Sequence, residues 1–93
     1  MNIFKYPLEI TDFQTVKMPF SAEILSVKEQ NGTLCLWALV DPDIGFEMDY
    51  KIHIIGTGAP IDSAVVKSFY GGLYFIDTVV MSYGLVWHVF QEK

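Results

Sequence analysis

The sequence predicts an all-β domain of about seven short strands, arranged as a small antiparallel sandwich or a partly open barrel. The first observation behind this is punctuation. Turn signals at Pro7, Pro19, Asn31-Gly32, Asp41-Pro42-Asp43, Gly56 to Pro60, Gly71-Gly72 and Tyr83-Gly84 recur at roughly regular intervals of about 10 to 15 residues. The second is what lies between them: segments rich in Val, Ile, Tyr, Phe and Trp, which fit a pleated, half-buried surface. The third is composition, 52% hydrophobic and 15% aromatic, the opposite of a chain too polar to fold. No repeat, low-complexity tract or linker interrupts the 93 residues, so residues 1–93 read as one domain. A core of this size leaves a modest margin of stability, to which oligomerisation would add.

At the N-terminus, Ile3 to Leu8 and Phe13 to Met18 read as two short strands around Thr11-Asp12, with Pro7 placing the first at a sheet edge or a bulge. Asn31-Gly32 predicts a two-residue type I′ hairpin, because both central residues must take positive φ. That loop sets Gln30 opposite Thr33, Val27 opposite Leu36, Ser26 opposite Trp37 and Leu25 opposite Ala38. One face is then Leu25, Val27, Leu36 and Ala38, a core face. The other carries Ile24, Ser26, Lys28, Cys35, Trp37 and Leu39, which is too apolar for open water, so Trp37 is expected to meet a second sheet or another subunit.

Met48 to Ile55 alternates, with Met48, Tyr50, Ile52 and Ile54 on one side and Asp49, Lys51, His53 and Ile55 on the other. Ile61 to Phe69 is a loop with at most one helical turn, since Asp62 can cap a helix but Val65 and Val66 favour extended structure. In Leu73 to Ser82 both faces are largely apolar: Tyr74, Ile76, Thr78 and Val80 oppose Leu73, Phe75, Asp77, Val79 and Met81. Leu85 to Glu92 ends the chain as a strand.

Six lysines, no arginine and eleven acidic residues give a net charge of -5, which argues against a partner recognised through its nucleic-acid backbone. Cys35 is the only cysteine, so neither an intramolecular disulfide nor a cysteine-based zinc cluster can form. No secretory leader and no apolar stretch of membrane-spanning length is present, and a cytoplasmic protein with no membrane partner is expected.

His53 and His88 lie on separate strands without HxH, HxxxH or CxxC spacing, so no metal and no cofactor is expected. Cys35 sits mid-strand among leucines, as a small buried hydrophobe does, and no GxSxG elbow supplies a nucleophile. Asp41, Asp43, Glu47 and Asp49 surround an Asp-Pro-Asp turn and read as a solvated acidic loop before an acid/base pair. The stretch Gly56 to Pro60, "GTGAP", lacks the third glycine of a dinucleotide fingerprint and the lysine of a P-loop. Lys51 and His53 precede it on one face and Lys67 follows, so a local anion site is the functional reading and a tight turn the plain one. Tyr50 and its neighbouring aromatics would stack on a base. The expected ligand contacts are therefore Tyr50, Lys51, His53, Gly56, Thr57, Gly58 and Lys67. Trp37, Phe46 and Tyr70 are the expected subunit-interface residues among seven Phe, five Tyr and two Trp.

Four stretches, "KYPLEITDFQTVKMP" (Lys5 to Pro19), "AEILSVKEQNGTLCLWALVDP" (Ala22 to Pro42), "IIGTG" (Ile54 to Gly58) and "GLVWHVFQ" (Gly84 to Gln91), resemble a family of small uncharacterised proteins encoded by bacteriophages and prophages. Between Asp43 and Lys51, and from Asp62 to Leu73, the chain departs from that pattern. The resemblance implies a phage accessory protein acting in the cytoplasm of an infected bacterium, and it supplies no catalytic residues. By analogy of size and genome setting, the first expectation is a non-enzymatic anti-defence protein, a homo-oligomer that binds and sequesters a small nucleotide-like immune signalling molecule. The alternative is an acidic protein that binds and inhibits a host protein, or a minor structural or morphogenesis factor. A small hydrolase using His53 or His88 with an Asp ranks last.

Overall fold

The structure, a computed structural model, describes residues 1–63 and 72–92. Among these residues, seven strands form two open antiparallel sheets: β1 (Asn2–Pro7), β2 (Phe13–Pro19), β3 (Glu23–Gln30), β4 (Thr33–Val40), β5 (Glu47–Gly56), β6 (Leu73–Val80) and β7 (Val86–Glu92). The three-stranded sheet runs β1-β4-β3 and the four-stranded sheet β2-β5-β7-β6. The all-β expectation holds, and of its two architectures the sheets form no closed barrel. The expected helical turn at Ile61 to Phe69 falls mostly outside the described residues. Among the described residues, no helix is long and apolar enough to cross a membrane.

The inner face of β4 supplies Leu34, Leu36, Ala38 and Val40, none more than 1% exposed. Ile52 and Ile54 of β5, Val89 of β7, Val79 of β6, Met18 of β2 and Val27 of β3 complete one core between the sheets. A fully buried aliphatic side chain contributes about 1.5–3 kcal/mol, so this layer dominates the stability of the fold. Alternation along β5 is as the sequence predicts: Ile52 and Ile54 are buried and Tyr50 packs against the same core.

The hairpin forms at Asn31 (φ 52°) and Gly32 (φ 84°), with Gln30 opposite Thr33, Val27 opposite Leu36 and Ser26 opposite Trp37. One predicted pair fails. Ile24, not Leu25, faces Ala38, because a bulge lies between Ile24 and Ser26. The extra residue turns Leu25 out, 47% exposed, and swings Ile24 against the core.

A second bulge, between Phe75 and Asp77, breaks the expected faces of β6. Phe75 stays opposite Phe90 on the outer side, while Asp77 moves opposite Val89, whose side chain is buried. Asp77 thereby reaches β3, where its Oδ2 accepts the Val27 N–H at 3.2 Å and its Oδ1 the Lys28 ammonium at 3.1 Å. Glu29 on β3 accepts both the backbone N–H and the hydroxyl of Ser82, just past β6. Two carboxylates thus clasp the β3 edge of one sheet to the β6 edge of the other.

Trp37 does not meet the second sheet, which packs on the opposite side of β4. It lies half-buried on the outer face, flanked across the register by Lys5 of β1 and Ser26 of β3. The Lys5 ammonium donates to Gln30 Oε1 at 2.7 Å, and Gln30 is opposite Thr33. The Lys5 side chain therefore runs diagonally across β4 above Cys35. This explains why Cys35, also on the outer face, is only 2% exposed.

Candidate binding surface

The outer face of the four-stranded sheet gathers the chemistry. Register places Phe13 of β2 opposite His53 of β5, His53 opposite Phe90 of β7, and Phe90 opposite Phe75 of β6, one row across all four strands. Phe13 and His53 have ring centroids 5.0 Å apart, and Phe75 meets Phe90 edge-on at 5.7 Å. These are the distances at which aromatic pairs add to simple burial. The row is far from covered: Phe13 is 48% and Phe75 56% exposed.

Polar rows flank it. On one side a Glu92 carboxylate oxygen lies 3.4 Å from His53 Nε2 and the other 3.7 Å from the Lys51 ammonium, and Lys17 pairs with Asp49 at 2.9 Å. The Asp49 hydrogen bond raises the Lys17 pKa above its ordinary value. On the other side His88 stands between two hydroxyls, with Thr57 Oγ1 at 2.7 Å from Nε2 and Thr78 Oγ1 at 3.0 Å from Nδ1. Each threonine can donate or accept, so both ring nitrogens are satisfied whichever carries the proton. Thr78 brings no negative charge to stabilise an imidazolium as the aspartate of a hydrolytic triad does, and the row reads as a hydrogen-bonded array.

Of the expected ligand contacts, Lys51, His53 and Thr57 share this face, and Gly56 and Gly58 shape its rim. Gly58 has a φ of 82°, which favours glycine, and the turn closes through the Ala59 N–H donating to the Gly56 carbonyl at 3.0 Å. Gly56 leaves room for Trp87: a Cβ there would stand 3.2 Å from the indole. A cleft of about 190 Å³ lies over β5, lined by His53, Gly56, Ala59, Ile61 and the carboxylate residues Asp12 and Asp62. This is below the about 300–1,000 Å³ usual for small-molecule sites, and two carboxylates at its wall oppose an anion.

Tyr50 is elsewhere. It faces inward, and its hydroxyl donates to the Pro19 carbonyl at 3.1 Å and accepts the Ala22 N–H at 3.0 Å, pinning the β2–β3 turn. The expected interface residues are likewise dispersed. Trp37 is on the other sheet, and Phe46 stacks on Phe20 at 5.0 Å on the β4–β5 loop. Lys67 and Tyr70 lie outside the described residues. Among those described, no group of three or more His, Cys, Asp or Glu stands close enough to hold a metal ion.

Sequence reasoning assigned no functional role to Phe13, Phe75, Phe90 or Thr78. The signal available was alternation: Phe13 and His53 each fall on the polar side of their strands. What it lacked was the pairing that aligns them.

No curated protein and no solved structure matches the chain. Residues 1–93 match the family described as "Domain of unknown function (DUF7352)", and the chain belongs to that family.

Proposed function

We propose that this is a non-enzymatic binding protein that docks a partner protein through the outer face of its four-stranded sheet, in the phage accessory role that the sequence resemblance implies. The observation that carries this reading is the row Phe13–His53–Phe90–Phe75, a stripe of mutually tilted rings with both ends half-exposed. Protein interfaces are enriched in aromatics at the centre and polar groups at the rim, and the Lys51–Glu92 and Lys17–Asp49 pairs supply such a rim. The acidic chain favours a basic partner, whose approach a charge of -5 accelerates. The test compares partner recovery by the wild type and by a Phe13→Ser/Phe75→Ser double variant. Both positions are exposed, so the variant is expected to fold and to recover at least about tenfold less partner. Equal recovery removes the reading.

A second reading, sequestration of a small nucleotide-like molecule, is favoured by Lys51, His53, Thr57 and His88 standing on that same face beside rings able to stack on a base. Native mass spectrometry with an extract of infected bacteria decides between the two. A nucleotide-sized mass gained by the wild type and lost in Lys51→Ala supports sequestration, and a protein-only complex supports docking.

A further inference from the structure

The two open sheets have four edges, and three are guarded. Asp77 and Glu29 clasp β3 to the β6 end of the other sheet. On β2, the Gln14 amide folds back onto the Glu9 backbone at 2.7 and 3.1 Å. Charged side chains on an edge and covered edges are the usual protections against strand addition.

β1 has neither. Five of its six residues are exposed, among them Ile3 at 61% and Phe4 at 39%, and Met1 before it is 73% exposed. Its one charge, Lys5, is committed to Gln30 two strands inward and does not stand guard. No residue of β2 covers the edge, because an open groove of about 450 Å³ separates Tyr6 and Pro7 from Gln14 to Lys17.

We infer that β1 is a self-association edge: a second copy of this chain adds its own β1 antiparallel, joining two three-stranded sheets into one of six strands. Three considerations select a second copy. Antiparallel pairing about a twofold axis is isologous, so one edge serves both chains and the assembly closes at two. The first eight residues contain no carboxylate, so here two chains of charge -5 meet without opposing like charges. The register is also restricted, since a twofold axis normal to the sheet sets some residue opposite its own copy. Centring on Lys5 would bring Pro7, which has no N–H to donate, into the ladder opposite Ile3. Centring on Phe4 sets Ile3 of each chain opposite Lys5 of the other, with Pro7 ending the ladder. A six-residue edge is a small interface, so the dimer forms in a concentration-dependent equilibrium. It uses no residue of the outer face of the four-stranded sheet, and it stands or falls independently of the docking proposed above.

Sedimentation velocity of the full chain over a wide concentration range tests this. The wild type should pass from monomer to a single dimer species. Ile3→Lys adds to each edge an ammonium that is not tied to Gln30, the usual guard against strand addition, and should weaken dimerisation by at least about tenfold. Ile3→Val keeps an apolar, β-branched edge and should retain it, while Phe75→Lys, similarly exposed on the other sheet, should leave it unchanged. A wild type that stays monomeric, a larger assembly, or a dimer lost in Phe75→Lys and kept in Ile3→Lys overturns the inference.

Discussion

Gly56 ends β5 beside the half-buried Trp87 ring, and its hydrogen is the only substituent that fits without displacement. Gly56→Ala puts a methyl 3.2 Å from the indole, so the ring must shift by a few tenths of an ångström. The expected cost is about 1–2 kcal/mol, read as a lower urea midpoint at unchanged slope. Tyr6 gives a pH-dependent expectation. Burial, then the Glu47 carboxylate and Tyr50, raise its pKa above the ordinary 10.0. The folded state therefore holds the phenol proton where the unfolded chain has released it. This contribution is complete below pH 10.0 and is lost as the pH rises from there through the folded-state value. Urea unfolding at a series of alkaline pH values should show stability falling, and Tyr6→Phe should make the fall shallower. It will not abolish it, because Lys17 is shifted in the same direction by Asp49. At this scale sequence was informative about type and silent about surroundings. Asn31 and Gly32 announce positive φ by their chemistry, whereas Tyr50 as a turn pin and Lys5 as a cover for Cys35 depend on partners 25 to 31 positions away.

The two bulges decide how the sheets meet. Without the bulge in β6, alternation would hold Asp77 on the outer face with Phe75, and the Val27 N–H would have no acceptor at the sheet junction. Asp77→Ala is expected to cost about 1–3 kcal/mol, from a backbone donor left unsatisfied and the lost Lys28 pair, whose ammonium is largely solvated and adds little. Asp77→Asn keeps an acceptor and should recover part of that loss, so chemical denaturation of the two variants separates the hydrogen bond from the charge. Amide exchange at Val27 should accelerate in Asp77→Ala alone. Strands were legible because period-two patterning and turn residues are local. The bulges were not, because one extra residue in Ile24-Leu25-Ser26 or Phe75-Ile76-Asp77 leaves composition and pattern almost unchanged. The hairpin register was therefore correct up to the bulge and failed just beyond it at Leu25.

In the whole molecule, the chain changes sheet three times: β1 pairs with β4 and β2 with β5 across long separations, and β7 inserts between β5 and β6. That interleaving assembles Phe13, His53, Phe90 and Phe75 into one row from four segments of the chain. No local reading could supply it, although β5 alone already placed Lys51 and His53 side by side. The same topology separates Trp37, on the outer face of the three-stranded sheet, from the surface proposed to bind. Site-specific photocrosslinking tests whether the aromatic row contacts a partner protein. A photoreactive phenylalanine analogue at position 75 should give one discrete protein adduct in the cell, suppressed by excess unmodified protein and absent from the same analogue at Phe46. A matching adduct from both positions, or only adducts of the chain with itself from position 75, would contradict it.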